Sequence, residues 1–363
     1  MTEKVRPVQS PAMQAIKASE QARNMIVIRL GSGAFSLRLH QRSLLIAVVV
    51  ITLILTVALA SLTTGSYPIP IIDALDALRG RGEDMVRMIV VEWRLPRVLL
   101  AILLGAALGT SGAIFQSLTR NPLGSPDIIG FAAGSYTGAL IVILLLSGGY
   151  YETAAGALIG GILTAFAVYT LAWRNGVQGF RLIIVGIGIS AMLSAFNGWM
   201  IKAADLNVAM AAAIWGAGSL NGLGFDQLIP VMLVLLILLP VTMVLARPMR
   251  QLEMGDDAAR ASGVHAARTR LMLMIAGVAL TASVTAAAGP IAFIALAAPQ
   301  IARRITQSAG VALIPSALTG SLLLITADYA AQHAFSTQLP VGIMTVSIGG
   351  VYFIWLLIKE GRR

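Results

Sequence analysis

Residues 98–119 read VLLAILLGAALGTSGAIFQSLT, 22 positions without an Asp, Glu, Lys or Arg. A helix of about 20 apolar residues crosses the roughly 30 Å hydrocarbon core of a bilayer. Other charge-free stretches of at least 20 residues run along the whole chain. They are residues 43–72, 128–151, 153–173, 182–201, 206–225, 227–246, 271–302, 305–327 and 329–358. The sequence therefore predicts an all-α integral membrane protein with many spans.

Composition excludes a water-soluble domain. Hydrophobic residues make up 57% of the 363 positions and charged residues 12%, whereas soluble domains average about 45–50% and about 25%.

The chain has no cysteine, which excludes disulfides, thiolate ligands and thiol catalysis. Its three histidines lie far apart, so we predict no metal site. The sequence has no phosphate loop of the G-x-x-x-x-G-K-S/T type, so any ATP and Mg²⁺ would bind to another chain.

Glycine and proline interrupt two of the ten stretches. Residues 271–302 contain Gly289-Pro290, which removes a helix donor and loosens the turn, so we predict helices near 271–288 and 291–302. Residues 206–225 are rich in glycine in their second half and are predicted to form a half-helix followed by a loop. The expected total is again ten spans.

The net charge of +10 carries an orientation signal, because cytoplasmic loops are enriched in Lys and Arg. With ten spans and both termini cytoplasmic, 20 of the 26 basic residues lie on the inner side and six on the outer side. The prediction is a basic cytoplasmic tail over residues 1–42 and a ten-helix domain over residues 43–360. The longest cytoplasmic loop is then 247–270. The tail lacks an apolar core followed by a cleavage site, so we do not predict a signal peptide.

The long cytoplasmic loop carries a helix signal of its own. Gly255 and Gly263 can end helical segments, and Asp256 and Asp257 are acids suited to a helix N-terminus. The sequence predicts a short helix between the two glycines, which projects from the bundle and binds a soluble partner. A solvated connector is the alternative.

Two arginines flank a proline at the predicted outer mouth of the second span, in Arg94-Leu95-Pro96-Arg97. The proline would fix where the chain enters the helix, so both guanidinium groups are expected to face outward. Their planar forks suit carboxylates. Snorkelling of the arginines to the membrane interface beside Trp93 is the alternative.

Further candidates lie at helix breaks and polar positions. Discontinuous helices commonly mark transport pathways, and an ionisable residue within a span is a functional candidate by default. The breaks at residues 215–220, 288–290 and 339–342 are all expected on the outer side. The pathway or gate candidates are Gln116, Asn121, Pro122, Asn197, Trp215, Ser219, Gly289, Pro290, Asp328 and Pro340.

Five motifs, taken together and in order, resemble the membrane permeases of bacterial iron–siderophore and vitamin B12 ABC importers. They are Arg94-Leu95-Pro96-Arg97, Gln116 with Arg120-Asn121-Pro122-Leu123 and Gly130, the loop from Gly255 to Gly263, Gly289-Pro290-Ile291-Ala292-Phe293-Ile294 with Pro299 and Ala302-Arg303, and Leu339-Pro340-Val341-Gly342 with Thr345 and Gly349. The resemblance covers about residues 43–360. It implies the ten-helix type II importer fold, a heterodimer with a related permease subunit, two copies of a cytoplasmic ATPase and a periplasmic siderophore-binding protein.

The resemblance also implies roles for particular residues. Arg94 and Arg97 would dock to glutamates of the binding protein. The residues expected to couple to the ATPase are Leu252, Glu253, Met254, Gly255, Asp256, Asp257, Ala259, Arg260 and Gly263. Departures from the family pattern occur at Ser262, Gln300, Val351, and at Gln332 and His333, where some relatives carry a third docking arginine.

The expected function is import of a ferric siderophore, such as ferric enterobactin or another catecholate, through the bacterial inner membrane. The chain would be a multi-pass transporter subunit rather than an enzyme, with no bound cofactor, metal or nucleic acid. Alternatives are a permease for another iron chelate, haem or cobalamin, an ion-coupled secondary transporter, or a membrane enzyme. The scarcity of membrane-embedded charge disfavours an ion-coupled carrier.

Overall fold

The computed structural model describes residues 25–30, 35–127, 129–173, 179–308 and 310–361. The chain divides into two units, residues 1–50 and 51–363. Most of the predicted basic tail, residues 1–24 and 31–34, lies outside the described residues.

The first unit contains an antiparallel hairpin, which lies in the predicted basic tail and outside the predicted ten-helix domain. Strands β1 (Met25–Leu30) and β2 (Phe35–His40) pair with Met25 opposite His40. The sequence of β2, FSLRLH, alternates apolar and polar residues with the period of two that is typical of a strand. The tail prediction rests on basic charge alone, and charge carries no information about this period.

Fourteen helices follow in the described part of the chain, with two π-helical segments. They are α1 (Gln41–Thr63), α2 (Ile71–Leu78), α3 (Asp84–Arg87), a π-helical segment (Met88–Arg94), α4 (Leu95–Thr119), α5 (Phe131–Ile141), a second π-helical segment (Val142–Leu146), α6 (Tyr150–Ala172), α7 (Gly179–Ala203), α8 (Leu206–Gly216), α9 (Phe225–Glu253), α10 (Asp256–Ala261), α11 (Ala266–Ala288), α12 (Ile294–Thr306), α13 (Leu313–His333) and α14 (Val341–Gly361).

Seven helices among the described residues are long and apolar enough to cross a membrane. They are α1, the continuous helix Asp84–Thr119, α6, α7, α9, α11 and α13. Shorter apolar helices are Phe131–Leu146, Leu206–Gly216 and Val341–Tyr352. The chain is a multi-pass helical membrane protein, and its helices of full spanning length do not by themselves make up the predicted ten.

Both predicted helix breaks are present. α11 ends at Ala288, Gly289 has a φ of 73°, and α12 begins at Ile294 rather than at 291. Glycine reaches positive φ without steric cost, which lets the chain turn sharply there. α8 covers only the first half of residues 206–225, which confirms the predicted half-helix.

The predicted role of Pro96 as an entry point is wrong. The helix runs without interruption from Asp84 to Thr119 and passes through the proline. A proline ring clashes with the carbonyl four residues earlier and removes one hydrogen bond. The π-helical segment Met88–Arg94 lies directly before α4, and its wider turn makes room for the ring.

α4 packs against α9, α11, α12 and α13, and most of its side chains are buried. Its backbone comes closest to α13, where a Cβ atom on Gly105 would lie 2.5 Å from the carbonyl oxygen of Gly320. Ser321 donates a hydrogen bond to the Ile102 carbonyl at 2.7 Å. Small residues permit such close packing in lipid, where there is little hydrophobic driving force between helices. α4 and α13 therefore form a tightly packed pair.

Candidate functional site

Two groups of candidate residues lie at opposite ends of α4. The helix has 25 residues, so its ends are about 37 Å apart at 1.5 Å per residue. Arg94 directly precedes one end and Arg120 directly follows the other. We call these the Arg94 end and the Arg120 end of the bundle.

The predicted short helix of the 247–270 loop is present at the Arg120 end. α10 follows Gly255, which has a φ of 120°, and Gly263 after it has a φ of 83°. Both angles lie in the region that favours glycine. Ala259 is fully buried, whereas the side chain of Asp257, on the same helix, is 100% exposed. The helix is thus attached by one face and presents another to the surroundings.

The charged residues predicted to couple to an ATPase fall into two groups. Asp257 and Arg260 pair at 3.5 Å with side chains 100% and 68% exposed. Glu253 points the other way, because its Oε1 atom is buried and a Cβ atom on Gly310 would lie 2.7 Å from its Oε2. Asp257 and Arg260 are thus exposed at the surface, and Glu253 contacts the loop before α13.

Asp256 ties α10 to the end of α4. One terminal nitrogen of Arg120 donates to the Asp256 carboxylate at 3.1 Å and to the Leu252 carbonyl at 2.8 Å. Arg270 of α11 donates to the same carboxylate oxygen. Sequence reasoning did not include either arginine among the site residues. No local pattern pairs Arg120 with Asp256, which is 136 positions away.

The turn after Arg120 is held by α12. Asn121 caps the turn with its side chain, because its Oδ1 accepts the backbone N–H of Leu123 at 2.9 Å. The carbonyl of Pro122 accepts a hydrogen bond from Nε2 of Gln300 at 2.8 Å. The predicted candidates Asn121 and Pro122 thus lie together, between the end of α4 and the middle of α12.

Two further contacts join this region to the beginning of α12. Gln116 donates to the Leu296 carbonyl at 3.0 Å. The carboxylate of Asp127 accepts the backbone N–H of Phe293, the residue that precedes α12. Burial raises the pKa of Asp127 to about 7, and the hydrogen bond from Phe293 opposes that rise. Asp127 was not among the predicted site residues, although Ser125-Pro126-Asp127 marks a constrained turn in the sequence.

The three predicted outer breaks meet at one place. We call it the three-break junction and define it by Gly218, Gly289 and Gly342. The backbone N–H of Ser219 donates to the Ala288 carbonyl at 2.8 Å, and that of Gly342 donates to the Gly218 carbonyl at 3.0 Å. A Cβ atom on any of the three glycines would overlap a backbone oxygen of another break. The predicted candidates at or beside the junction are Trp215, Ser219, Gly289, Pro290 and Pro340.

Asn197 has a packing role. It is buried, its Nδ2 donates to the Ala133 carbonyl at 3.3 Å, and the hydroxyl of Thr137 donates to its Oδ1 at 2.7 Å. These bonds join α7 to α5.

The Trp215 ring stacks on Tyr136 with centroids 6.1 Å apart, which fixes the end of α8 next to the three-break junction.

Arg94 closes the loop between α1 and α2. Its two terminal nitrogens donate to the carbonyls of Leu62 at 2.8 Å and Tyr67 at 2.7 Å. The side chain keeps part of its surface exposed. Arg94 therefore combines a structural contact with a cation near the surface.

The expectation that both arginines face outward is wrong for Arg97. Its side chain is 13% exposed and forms a two-pronged ion pair with Asp328, whose side chain is 4% exposed. Gln332 donates to the same carboxylate at 2.8 Å. The physical reason is that Asp328 would be costly to bury alone, and Arg97 is the cation that α4 places opposite it on α13.

Most of the sequence matches the model of a known family. Residues 49–359 fit the FecCD transport family. The chain belongs to the FecCD transport family. The match includes the Arg94 end, the three-break junction and α10.

Individual relatives support the same membership. This chain is 48% identical over 324 residues to FepG of Escherichia coli (strain K12), a ferric enterobactin transport system permease protein, with 89% of this chain and 98% of FepG covered. It is 36% identical to FhuG of Bacillus subtilis (strain 168), an iron(3+)-hydroxamate import system permease, with 88% and 98% covered. A solved inward-facing structure of a transporter assigned to the metal-chelate ABC type matches with a TM-score of 0.76 at 25% identity, covering 86% of this chain and 99% of that one.

Proposed function

We propose that this chain is the membrane permease subunit of an ATP-driven importer that carries a ferric catecholate siderophore, ferric enterobactin or a close analogue, from periplasm to cytoplasm. The observation that carries the proposal is the 48% identity to FepG over 98% of its length. Relatives named for hydroxamate and dicitrate transport are 36% and 34% identical. Iron would travel as chelated cargo, so the pathway needs no protein ligands for the metal.

We place the subunit in the bacterial inner membrane with ten spans and both termini in the cytoplasm. The seven helices of spanning length, together with Phe131–Leu146, α12 and α14, would supply ten spans, and α8 would be a half-helix. Residues 1–42 would form a basic cytoplasmic segment and residues 43–360 the permease domain. The Arg120 end then faces the cytoplasm, as its basic loop favours, and the Arg94 end faces the periplasm.

The partners follow from this orientation. A cytoplasmic ATPase, two copies in the whole importer, would bind ATP and Mg²⁺ and dock on α10 and its flanks. A periplasmic siderophore-binding protein would dock at the Arg94 end. A related permease would complete a heterodimer, and the largely exposed surface of α7 is available to line an interface with it.

In this mechanism the chain performs no covalent chemistry. ATP-driven closure of the ATPase would move α10 at the Arg120 end, and α12 would carry the movement back toward residues 289–293. Interfaces and packed cores switch between discrete arrangements rather than deform smoothly. The three-break junction, whose backbone segments touch without intervening side chains, would be the element that rearranges.

Uptake by a strain that lacks the gene tests the substrate. We expect uptake of ferric enterobactin to be lost and to return with a plasmid copy, while uptake of ferric hydroxamates and cobalamin stays unchanged. Loss confined to hydroxamate or dicitrate would assign the chain to that chelate instead. Unchanged uptake of every ferric siderophore and of cobalamin would contradict the proposal.

Reconstitution separates an ABC subunit from an ion-coupled carrier. Proteoliposomes holding the complete importer should accumulate ferric siderophore only when ATP is present on the ATPase side. Accumulation by the purified chain alone, driven by a proton or sodium gradient, would show that the energy source is wrong.

A further inference from the structure

The Arg120 side chain links α10 to the end of α4. It follows the last turn of α4 in the left-handed conformation, with a φ of 51°. Left-handed backbone is uncommon for a residue with a side chain and is retained where surrounding contacts hold it. Its terminal nitrogen bonds both the Leu252 carbonyl, before α10, and the Asp256 carboxylate, at its first residue.

The position of Arg120 in the chain gives this contact a mechanical consequence. The next two residues are Asn121 and Pro122, and the Pro122 carbonyl is held by Gln300 of α12. A displacement of α10 that pulls on Asp256 therefore acts on the turn within one or two peptide units. From that turn it reaches α12, whose first residues lead to Gly289 at the three-break junction.

Two other arginines near α10 form bonds across a shorter stretch of chain. Arg260 pairs with Asp257 on α10 itself. Arg270 belongs to α11, which directly follows α10, and its bond to Asp256 spans 14 positions. The bond from Arg120 to Asp256 spans 136 positions and joins α10 to a helix that is not its neighbour in the sequence.

We propose that Arg120 is the positioning residue that couples α10 to the inner turn, so that ATP hydrolysis in the partner opens the pathway in this chain. The inference rests on the proposed function. It concerns how the energy is transmitted and leaves the choice of substrate open.

The test uses the complete importer in proteoliposomes and measures the ratio of siderophore transported to ATP hydrolysed. We expect Arg120→Gln to assemble with the ATPase and hydrolyse ATP, while the ratio falls about tenfold, within the usual range of coupling free energies. Arg120→Lys should recover part of the ratio, because a cation remains near Asp256. Asp256→Asn should lower the ratio as well, and the double variant should be no worse than Arg120→Gln alone, because both changes remove one link.

The matched control is Arg79→Gln at the Arg94 end. Arg79 also pairs with an aspartate, Asp76, at 3.5 Å, with 67% of its side chain exposed. Replacing Arg79 by glutamine removes the same charge without changing a contact of α10. The ratio of siderophore transported to ATP hydrolysed should therefore stay at the wild-type value.

A tether separates coupling from general damage. The chain has no cysteine, so a short bifunctional maleimide can join Arg120→Cys to Asp256→Cys when partner subunits without cysteine are used. The untethered double variant should hydrolyse ATP with little transport, and the tether should restore the ratio.

Three outcomes would overturn the inference. They are a wild-type ratio in Arg120→Gln, loss of the ATPase from that complex, or a tether that restores nothing. The proposed function fails separately, if the wild-type importer itself moves no ferric siderophore.

Discussion

Asp328 binds Arg97 through both carboxylate oxygens, at 2.9 Å from Nε and 2.8 Å from a terminal nitrogen. The pair joins α4 to α13 near the Arg94 end, and both side chains are largely buried. A guanidinium that is held in this way is not free to reach a docking partner. The predicted docking role of Arg97 therefore becomes indirect, since the pair holds the two helices that carry the neighbouring surface.

Removing one member of this pair should destabilise the protein. Asp328→Ala leaves a buried guanidinium without its carboxylate, and we expect a loss of about 3–5 kcal/mol in the free energy of unfolding. The double variant Arg97→Met with Asp328→Leu should recover most of it, because apolar side chains of similar volume fill the space. Thermal unfolding in detergent measures both.

The matched control for that pair is Arg87→Gln. Arg87 pairs with Asp84 at 3.2 Å, but the Asp84 side chain is 92% exposed, so the loss should stay below about 1 kcal/mol. Equal destabilisation by Asp328→Ala and Arg87→Gln would show that burial does not increase the contribution of the Arg97–Asp328 pair to the free energy of unfolding.

Arg94 is the better candidate for direct contact with the binding protein. Reversing its charge in Arg94→Glu should weaken binding of that protein to the assembled importer by about tenfold or more, because like charges would then face each other. Arg94→Gln removes the cation without introducing an acid and should have a smaller effect. Surface plasmon resonance on the detergent-solubilised complex measures both.

A charge reversal elsewhere on the same end controls for long-range electrostatics. Arg81→Glu changes the net charge by the same amount in the turn between α2 and α3. If it weakens binding as much as Arg94→Glu, the effect belongs to the overall field and Arg94 is not a specific contact.

Some features could be predicted from sequence because their signals are local. Gly255 and Gly263 flank α10 within nine positions, and α11 ends directly before Gly289. The pairing of Arg97 with Asp328 spans 231 positions, and no periodicity or composition reports such a contact. The same limit applies to the three-break junction, where each break is visible alone but their meeting depends on tertiary packing.

Pro96 shows a different limit. Proline is common in the first turn of a helix, so Arg94-Leu95-Pro96-Arg97 favours a helix start there. The structure instead passes through the proline by means of the π-helical segment Met88–Arg94. A π turn has no strong sequence signature. The preference of proline for the first turn of a helix therefore predicts the wrong start for the helix Asp84–Thr119.

The close contacts of the three-break junction predict a sharp difference between two glycines of α14. A Cβ atom on Gly342 would overlap the Ala217 carbonyl oxygen, whereas one on Gly350 would have no neighbour within 4 Å. Gly342→Ala should therefore separate the breaks and abolish most transport. Gly350→Ala should be neutral or stabilise the helix by up to about 1 kcal/mol. Equal uptake by the two variants would contradict a role for the junction.

Asp127 predicts a pH dependence with a definite sign. Its pKa is raised by burial to about 7 from an ordinary value near 3.8. Between those two values the native chain holds a proton that the unfolded chain releases, so the stability contributed by this group falls as the pH rises through that window. Asp127→Asn removes the titration. Its melting temperature relative to wild type should be higher at pH 8 than at pH 5.

The control for Asp127 is Asp84→Asn, which changes an exposed carboxylate. Its melting temperature relative to wild type should be nearly the same at both pH values. If Asp127→Asn behaves in the same way, burial of the Asp127 carboxylate does not govern its protonation.

Gly255 gives a test of the proposed role of α10 that does not depend on any side-chain contact. Its φ of 120° and ψ of 157° lie in a region almost confined to glycine, and no atom lies within 4 Å of a Cβ atom built there. Gly255→Ala therefore adds about 1–3 kcal/mol of backbone strain and no steric clash. We expect α10 to shift, so that less ATPase co-purifies with the chain or hydrolysis is uncoupled from transport.

Gly82→Ala is the control. It applies comparable strain, at a φ of 93° and in equally open space, in the turn before α3. It should leave ATPase binding intact, so a loss of ATPase in both variants would point to general misfolding, and wild-type coupling in Gly255→Ala would refute a role for α10.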